Sequence, residues 1–505
     1  MAENFLEAKN VSKAYVGVQA LDSVSMDIRK GEIHCLVGEN GSGKSTLIKI
    51  IAGVVRQDRG VIVINGRPYE QLHAIDSIRE GIQIIYQDLS LFPNLTVAEN
   101  ISLNQEIEQN SQIINWKAIK EIARSALHEI GEDLDLSERV ENISVASKQL
   151  VAISRALTQD ARLIIMDEPT SSLTRDEIAR LFKVITDLQK RGICTLFVSH
   201  KLSEVFEIAE RVSILRDGKM VGTYNTEELD NDRLVYLMTG KKVESTIYAF
   251  EGKKKEKAPL LEVRNLSKSR NFKDVSFSLR AGEILGITGL LGSGRSELAL
   301  ALFGMFPADS GEILIEGKRV TIENTRQAME AGIGYLPEDR LNQGLFIEHT
   351  ISRNIIVTIL EKLLNTFGFI SAKKREDLVH RWVNGLEIKT PSVESPAQSL
   401  SGGNQQRLVL AKWLATDPKV FILDGPTIGV DIASKATIHK IIRGLAESGM
   451  GIIVISDEIP EVLQNCKRVL IMAKGRFIHE VQDVTSVTED EVFGIMSGKE
   501  AHEAV

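Results

Sequence analysis

The sequence has 505 residues and a formal net charge of −8 at pH 7. This length exceeds one hydrophobic core and fits two globular domains of roughly 240 to 250 residues each. The negative charge and the lack of a long basic tract argue against nucleic-acid binding. No run of apolar residues approaches the ~20 that a membrane span needs, which argues against an integral membrane protein. The N-terminus lacks a signal-peptide pattern.

The first strong pattern is a glycine-rich loop between a predicted strand and a predicted helix. Residues 33–37 form a short apolar run, residues 38–45 have the spacing G-x-x-x-x-G-K-[ST], and residues 45–52 have helical character. In this context the backbone N–H groups and the helix N-terminus cradle phosphate oxygens. We therefore predict a nucleoside triphosphate site in which Lys44 reaches the terminal phosphates and Ser45 binds Mg²⁺.

Two further apolar strands end in polar residues that suit the same site. The strand at 163–167 ends in Asp167 and is followed by Glu168, and the strand at 196–198 precedes His200. We predict that Asp167 holds Mg²⁺, directly or through water, and that Glu168 polarises the attacking water. A lone histidine is usually structural, but this one ends a strand of the same sheet, so we predict that it contacts the γ-phosphate.

A polar, charge-rich stretch without apolar periodicity follows the first half of the chain. We interpret it as a solvated linker because acidic residues interrupt its lysines. The predicted organisation is a first domain at 1–242, a linker at 243–258 and a second domain at 259–505.

Each half alternates apolar strands with helices, which indicates an α/β fold with a mostly parallel sheet covered on both faces. The cysteines Cys35, Cys194 and Cys466 lie in apolar runs or beside a helix end and have no C-x-x-C spacing. We expect buried, reduced thiols rather than disulfides or metal ligands.

The motifs of the first half recur in the second half with changes. Residues 289–296 repeat the glycine-loop spacing after 251 residues, with Arg295 in the lysine position. Later motifs recur after 257 residues: Asp424 corresponds to Asp167, but Gly425 stands in place of the glutamate and Asp457 in place of the histidine. The second copy therefore lacks groups that the predicted chemistry needs.

Taken together, these residues resemble those of the ABC ATPases. Tyr15, which we expect before the first strand, is similar to the A-loop, residues 38–45 to Walker A and Gln87 to the Q-loop. The pair Asp167 and Glu168 is similar to Walker B, His200 to the switch histidine, and residues 400–406 to the signature. The resemblance implies two ABC-type P-loop nucleotide-binding domains, each with a RecA-like core, an antiparallel β subdomain and a helical subdomain.

The resemblance also assigns roles to individual residues. The residues that it assigns to ATP binding are Tyr15, Gly38, Glu39, Asn40, Gly41, Ser42, Gly43, Lys44, Ser45, Thr46, Ser401, Gly402, Gly403, Gly289, Gly294, Arg295 and Ser296. It assigns Ser45, Gln87 and Asp167 to Mg²⁺, and Glu168, His200 and Gln87 to catalysis.

In that family two domains pair head to tail, and the signature of one closes over ATP held by the other. The first half has Val145 and Ala146 where the signature glycines belong, and Thr174 at the D-loop position where the second half has Asp431. The nucleotide motifs of the second half are altered at Arg295, Glu338, Gly425 and Asp457, and no aromatic residue aligns with Tyr15. Under this pairing every intact element falls in one composite site and every altered element in the other.

The whole chain resembles the tandem ATP-binding subunits of bacterial monosaccharide importers of the ribose, galactose, xylose and arabinose type. Residues 334–345, 386–392 and 400–415 carry this resemblance, and Gly425 is a departure from it because many such subunits keep a glutamate there. The resemblance implies a peripheral ATPase on the cytoplasmic face of the cell membrane. It also implies two transmembrane permease subunits and, indirectly, an extracytoplasmic sugar-binding protein as partners, and no nucleic acid.

Three alternatives are weighed against this interpretation. A nucleoside importer ATPase has a similar tandem layout and differs in the substrate of its receptor. A soluble translation-type tandem ABC protein would have two good signatures and a long charged interdomain helix pair, and a DNA-repair ABC ATPase would have a coiled coil or a zinc-binding insertion. The chain has one good signature and neither insertion.

Overall fold

A computed structural model describes residues 3–109, 114–170, 173–199, 201–240 and 259–498. The chain folds as two units, a first unit at 1–243 and a second unit at 244–505. The predicted linker at 243–258 lies outside the described residues. Within the described ranges, no helix has both the length and the hydropathy of a membrane span.

The elements of the first unit follow the predicted alternation of strands and helices. The strands are β1 (Asn4–Tyr15), β2 (Val18–Arg29), β3 (Ile33–Val37), β4 (Arg59–Ile64), β5 (Arg67–Tyr69), β6 (Ile82–Ile85), β7 (Leu163–Asp167), β8 (Cys194–Val198), β9 (Arg211–Arg216) and β10 (Lys219–Asn225). The helices are α1 (Lys44–Ile51), α2 (Ala74–Arg79), α3 (Val97–Gln109), α4 (Trp116–Glu129), α5 (Val145–Leu157), α6 (Arg175–Lys190), α7 (Leu202–Ile208) and α8 (Asn231–Thr239).

The second unit repeats this order. Its strands are β11 (Leu261–Lys268), β12 (Phe272–Leu279), β13 (Ile284–Thr288), β14 (Ser310–Ile315), β15 (Lys318–Val320), β16 (Ile333–Leu336), β17 (Val420–Asp424), β18 (Gly451–Ile455), β19 (Arg468–Ala473) and β20 (Arg476–Val481). Its helices are α9 (Arg295–Leu302), α10 (Thr325–Glu330), α11 (Ile351–Ile356), α12 (Ala372–Gly385), α13 (Gly402–Leu414), α14 (Ile432–Glu447), α15 (Ile459–Asn465) and α16 (Glu489–Ser497).

Each unit contains an antiparallel sheet and a mostly parallel sheet. In the first unit the strand orders are β2-β1-β4-β5 and β10-β9-β3-β8-β7-β6, with β10 antiparallel to β9. The second unit has the equivalent orders β12-β11-β14-β15 and β20-β19-β13-β18-β17-β16. The helices α3 to α5 lie in sequence between β6 and β7, and the helices α11 to α13 lie between β16 and β17. The predicted α/β fold with antiparallel and helical subdomains is confirmed.

The hydrophobic core explains why the parallel strands read as continuous apolar runs. All five residues of β3 are buried, because its strand is covered on both faces. One core of the first unit joins the antiparallel sheet, α1 and the parallel sheet through Leu6, Leu21, Leu47, Leu36 and Ile165. The cysteines Cys35, Cys194 and Cys466 are free and buried, as expected.

One expectation about the start of the chain is wrong. Tyr15 does not precede the first strand, because β1 and β2 form a hairpin before β3, and Tyr15 is the last residue of β1, paired with Val18. Register shifts interrupt the β1–β2 pairing at several places, so the apolar residues of β1 do not alternate regularly. A period of two is therefore hard to recognise in this segment.

Candidate nucleotide sites

The glycine-rich loop of the first unit can be built only with glycine at two positions. A Cβ atom on Gly38 would lie 2.2 Å from the carbonyl oxygen of Leu215 in β9. Gly43 has a φ of 106°, and a Cβ there would lie 2.5 Å from the carbonyl oxygen of Ala20 in β2. The loop therefore packs closely on two strands before α1 begins at Lys44.

The loop presents polar groups that suit a phosphate ligand. Helix α1 has no side-chain cap on its N-terminus, and the Ser42 hydroxyl is buried without a hydrogen-bond partner. The Lys44 ammonium is buried and donates to the carbonyl oxygens of Gly38 and Glu39 at 2.7 and 2.9 Å. Ser45 is exposed in the first turn of α1. The loop thus offers uncapped N–H groups, an amine and a hydroxyl, which fit ATP with Mg²⁺.

The two predicted carboxylates follow β7 at the edge where the parallel strands end. Burial raises the pKa of Asp167, and the neighbouring Glu168 charge adds to this, whereas the Lys44 ammonium lowers it. Lys44 and the carboxylates therefore share one electrostatic environment. Glu168 adopts the left-handed conformation, with a φ of 49°, and its N–H donates to the carbonyl oxygen of Val198 at 2.9 Å. A non-glycine residue there carries backbone strain, which concentrates at functional sites.

Gln87 and Tyr15, two further predicted residues of this site, lie on a turn and on a hairpin beside the glycine loop and the carboxylates. Gln87 is exposed in the turn after β6, the strand next to β7. Burial and then the Asp167 charge raise the pKa of the adjacent Tyr86, so this turn lies near the carboxylates. Tyr15 is 46% exposed at the tip of a hairpin whose Ala20 touches the glycine loop. His200 lies outside the described residues.

A buried glutamate that the sequence analysis missed joins the strand ends. The hydroxyls of Thr170 and Ser199 each donate to Glu204 at 2.7 Å. The second unit has the same arrangement around Glu461, which accepts from Thr427 and Ser456 at 2.7 and 2.6 Å. The repeat of 257 residues is the signal that could have identified this glutamate, because the glutamate and both of its hydroxyl partners recur at that shift.

The glycine loop of the second unit has the same backbone with a different cation. A Cβ on Gly289 would lie 2.2 Å from the carbonyl oxygen of Met472, Gly294 has a φ of 100°, and the Ser293 hydroxyl is buried without a partner. Burial lowers the pKa of Arg295, and the charges of Asp457, Asp424 and Glu338 oppose this shift. Together with Glu297, these acids act on the charge of the guanidinium.

Asp424 lies deeper in the second unit than Asp167 does in the first. Its side chain is 3% exposed, and burial raises its pKa to about 6. The Ser296 hydroxyl and the Arg295 charge oppose the shift, the Glu338 charge adds to it, and the Tyr335 hydroxyl donates to the carboxylate at 3.3 Å. A pocket of about 410 Å³ opens here, lined among others by Ser296, Tyr335, Glu338, Arg340, Asp424 and Ile428.

Gly425 takes the place of the predicted general base in the second unit. Its φ is 57° and its N–H donates to the carbonyl oxygen of Ile455 at 2.8 Å, as Glu168 does in the first unit. A Cβ on Gly425 would lie 2.5 Å from the Ile428 Cδ1 atom and 3.2 Å from the Glu338 Cγ atom. The backbone position is retained, but the end of the Ile428 side chain would have to shift to admit a side chain there.

The hairpins of the two units show which residue replaces Tyr15. In the first unit Asp58 accepts from the Lys13 ammonium and from the N–H of the next residue. In the second unit Asp309 accepts from Lys268 and from the following N–H in the same way. Arg270 therefore stands at the position of Tyr15, and no ring is available there to stack on a base.

The two signature segments differ at the start of their helices. In the first unit the Ser144 hydroxyl accepts from the Ser147 N–H at 3.1 Å and caps α5. In the second unit Ser401 makes no such cap on α13, and its hydroxyl accepts from the Asn404 side chain at 2.9 Å. The N–H groups at the start of α13 therefore remain available to an anion, and those of α5 are partly used.

Gly403 is required by its own unit. A Cβ on Gly403 would lie 2.2 Å from the Ser434 hydroxyl oxygen and 2.6 Å from its Cβ. The aligned residue of the first unit is Ala146, and the preceding Val145 side chain is 42% exposed. The start of α5 is therefore bulkier than the start of α13.

Comparison with known proteins identifies close relatives. The profile of the ABC transporter family matches residues 21–171 and 272–428. A ribose import ATP-binding protein of Geobacillus kaustophilus is 41% identical over 93% of this chain and 95% of its own length. Ribose import ATP-binding proteins of Clostridium perfringens and Rubrobacter xylanophilus are 43% and 42% identical, over 94% and 98% of this chain and 95% and 99% of their own lengths. The similarity extends over both units.

Proposed function

Because this chain belongs to the ABC transporter family, it is an ATP-hydrolysing transporter subunit, and we propose that it energises the import of a monosaccharide. Relatives named for ribose import are similar to it over more than nine tenths of the chain. Its partners in this proposal are two membrane-embedded permease subunits and, through them, an extracytoplasmic sugar-binding protein. Its place is the cytoplasmic face of the membrane.

The proposal includes one hydrolytic site, which combines the nucleotide motifs of the first unit with the signature of the second. The observation that carries it is the pair Glu168 and Gly425. The two residues have similar positive φ angles, and each donates the equivalent backbone hydrogen bond in its own unit. Glu168 carries a carboxylate, whereas Gly425 has no side chain. A site without its general base loses about two to four orders of magnitude in rate.

The proposal gives each residue of the first site a role. Lys44 and the N–H groups of the glycine loop hold the phosphates, because α1 has no side-chain cap and the Lys44 ammonium lies in the loop. Ser45, Asp167 and Gln87 are the proposed ligands of Mg²⁺, which would neutralise charge on the phosphate oxygens when bound. Glu168 orients a water molecule and accepts its proton, and His200 contacts the γ-phosphate.

The second nucleotide site has a different role in this proposal. Ser296 and Asp424 keep the hydroxyl and carboxylate that suit Mg²⁺. Four acidic side chains influence Arg295, and a Cβ at the general-base position would meet the end of the Ile428 side chain. We assign this site a structural or regulatory role without hydrolysis.

The test is uptake of labelled pentoses, hexoses and nucleosides by cells that carry wild type, Glu168→Gln or Glu207→Gln. Glu207 is an exposed glutamate on α7 and serves as the matched control. Loss of uptake of one sugar in Glu168→Gln alone supports the proposal and identifies the cargo. Loss of nucleoside uptake instead identifies a nucleoside importer. Unchanged uptake across the panel contradicts the proposal.

A further inference from the structure

We propose that Arg340 is a positioning residue for ATP hydrolysis, because it fixes the signature and the loop 425–431 of the second unit against each other. The inference rests on the proposed function, in which the signature of the second unit completes the hydrolytic site. Every contact that carries it lies within the second unit.

The Arg340 guanidinium holds the loop that follows β17. Its Nη1 atom donates to the carbonyl oxygen of Ile428 at 2.8 Å, and its Nη2 atom donates to that of Gly429 at 3.1 Å. The loop then reaches Asp431, whose carboxylate accepts from the Ser434 N–H at 2.8 Å and caps α14. One forked side chain therefore sets the path from β17 to the D-loop aspartate.

The same guanidinium lies against the first residue of the signature helix. A Cβ on Gly402 would lie 3.1 Å from the Arg340 Nη2 atom and 3.3 Å from the carbonyl oxygen of Gly429. Gly429 has a φ of 64°, and a Cβ there would lie 3.1 Å from Nη1. Glycine at both positions leaves room for the guanidinium. The signature and the D-loop thus share one contact.

A short helical turn connects this contact to the pocket beside Asp424. Arg340 begins the turn Arg340–Gly344, which Asp339 caps by accepting from the N–H groups of Leu341 and Asn342. The buried Lys412 of α13 donates to the carbonyl oxygen of Gly344 at 2.9 Å. The turn therefore packs against the start of α13 through Arg340 and is hydrogen-bonded to its last turn through Lys412. A shift of the turn must move the signature helix or break one of these contacts.

The first unit, whose signature is altered, has no such cation at this position. The repeat of 251 residues aligns Arg340 with Leu89, whose buried side chain has no hydrogen-bond donor. The aligned cation on the signature helix is Arg155, and it donates to the carbonyl oxygens of Ser90 and Leu89 at 2.9 and 3.4 Å. In both units a cation in the last turn of the signature helix donates to this segment. Only the unit with the intact signature also has the two hydrogen bonds that Arg340 donates to the loop after β17.

The experiment measures steady-state ATP hydrolysis by the full-length chain in four forms: wild type, Arg340→Met, Arg340→Lys and Arg326→Met. Arg326 is an exposed arginine of the same unit that pairs with Glu330 and Glu361, so it is the matched control. For Arg340→Met we expect kcat to fall by about tenfold or more while KM for ATP stays within about twofold, since the phosphate-binding loop is untouched. Arg340→Lys keeps the charge without the fork and should lie between wild type and Arg340→Met.

A double-mutant cycle separates positioning from a general effect on folding. In a Gly403→Ala background, whose signature is already impaired, Arg340→Met should cost much less than in wild type. The thermal unfolding midpoint of every variant should lie well above the assay temperature, so that a lower rate does not reflect loss of folded protein. A kcat of Arg340→Met within about twofold of wild type, or an equal loss in both backgrounds, overturns the inference.

The Glu168→Gln variant distinguishes the two levels of the argument. If Glu168→Gln keeps wild-type activity, the proposed function itself fails. If Glu168→Gln is inactive and Arg340→Met is active, only the role of Arg340 fails.

Discussion

Replacing Asp424 by asparagine should stabilise the second unit at neutral pH. The carboxylate is buried, and burial raises its pKa to about 6, compared with roughly 3.9 in an unfolded chain. Two pKa units correspond to about 3 kcal/mol, which the ionised carboxylate costs the folded state above pH 6. The folded state binds this proton more tightly than the unfolded state. The contribution of Asp424 to the free energy of unfolding is therefore most favourable below about pH 4 and is lost as the pH rises through about 6.

Denaturant unfolding at pH 5 and pH 7.5 measures this effect. Trp382 and Trp413 lie in the second unit, so tryptophan fluorescence in a Trp116→Phe background reports on that unit. The free energy of unfolding of Asp424→Asn should exceed that of the parent protein by about 3 kcal/mol at pH 7.5 and by about half as much at pH 5.

An aspartate with the opposite shift provides the control. Hydrogen bonds from Lys268 and from the Ser269 N–H lower the pKa of Asp309, so Asp309→Asn should be less stable than its parent at both pH values. An Asp424→Asn variant that is no more stable at pH 7.5, or whose advantage does not change with pH, would refute the reasoning.

Three further substitutions, two of them with a control at the aligned position of the other unit, test the individual site assignments. Gly403→Ala should lower kcat for ATP hydrolysis at least tenfold, because its methyl group meets a serine side chain of α14, whereas Ala146→Gly at the aligned position should leave kcat unchanged. Gly425→Glu should not raise kcat above wild type, since the new side chain must displace Ile428 and lies beside Glu338, and should lower the free energy of unfolding by about 1–2 kcal/mol in a denaturant titration. Tyr15→Ala should raise KM for ATP by roughly threefold to tenfold through loss of base stacking, and Arg270→Ala should not.

The parts of the fold that the sequence predicted are those with local causes. The strand, loop and helix around Lys44 follow one another within twenty residues, and the conformations of Gly38 and Gly43 follow from close packing that only glycine allows. The strand at Leu163–Asp167 is fully covered, so it reads as a continuous apolar run. The two-fold repeat then predicted the second unit from the first.

The parts that the sequence did not predict depend on contacts between distant residues. Tyr15 was misplaced because bulges break the apolar alternation of β1. Glu204 was missed because a glutamate in a short helix looks like a solvated residue until Thr170 and Ser199 are brought to it. Arg340 stands 88 residues before the carbonyl group of Ile428 that it holds, and no local pattern reveals such a pairing.

The residue roles at the nucleotide sites remain predictions. The structure places Lys44, Asp167 and Glu168 in one electrostatic environment, and the turn that carries Gln87 lies near Asp167. The two units also show that the same backbone position accommodates either residue. Gly425 preserves the conformation of Glu168 without its carboxylate.

The most direct test of a single hydrolytic site is the steady-state rate of ATP hydrolysis by full-length Glu168→Gln, with ATP binding measured in the same preparation. The account predicts a kcat at least about a hundredfold below that of wild type, with ATP still bound, because only the general base is changed. A rate comparable to that of wild type would contradict the account, since hydrolysis would then proceed without Glu168.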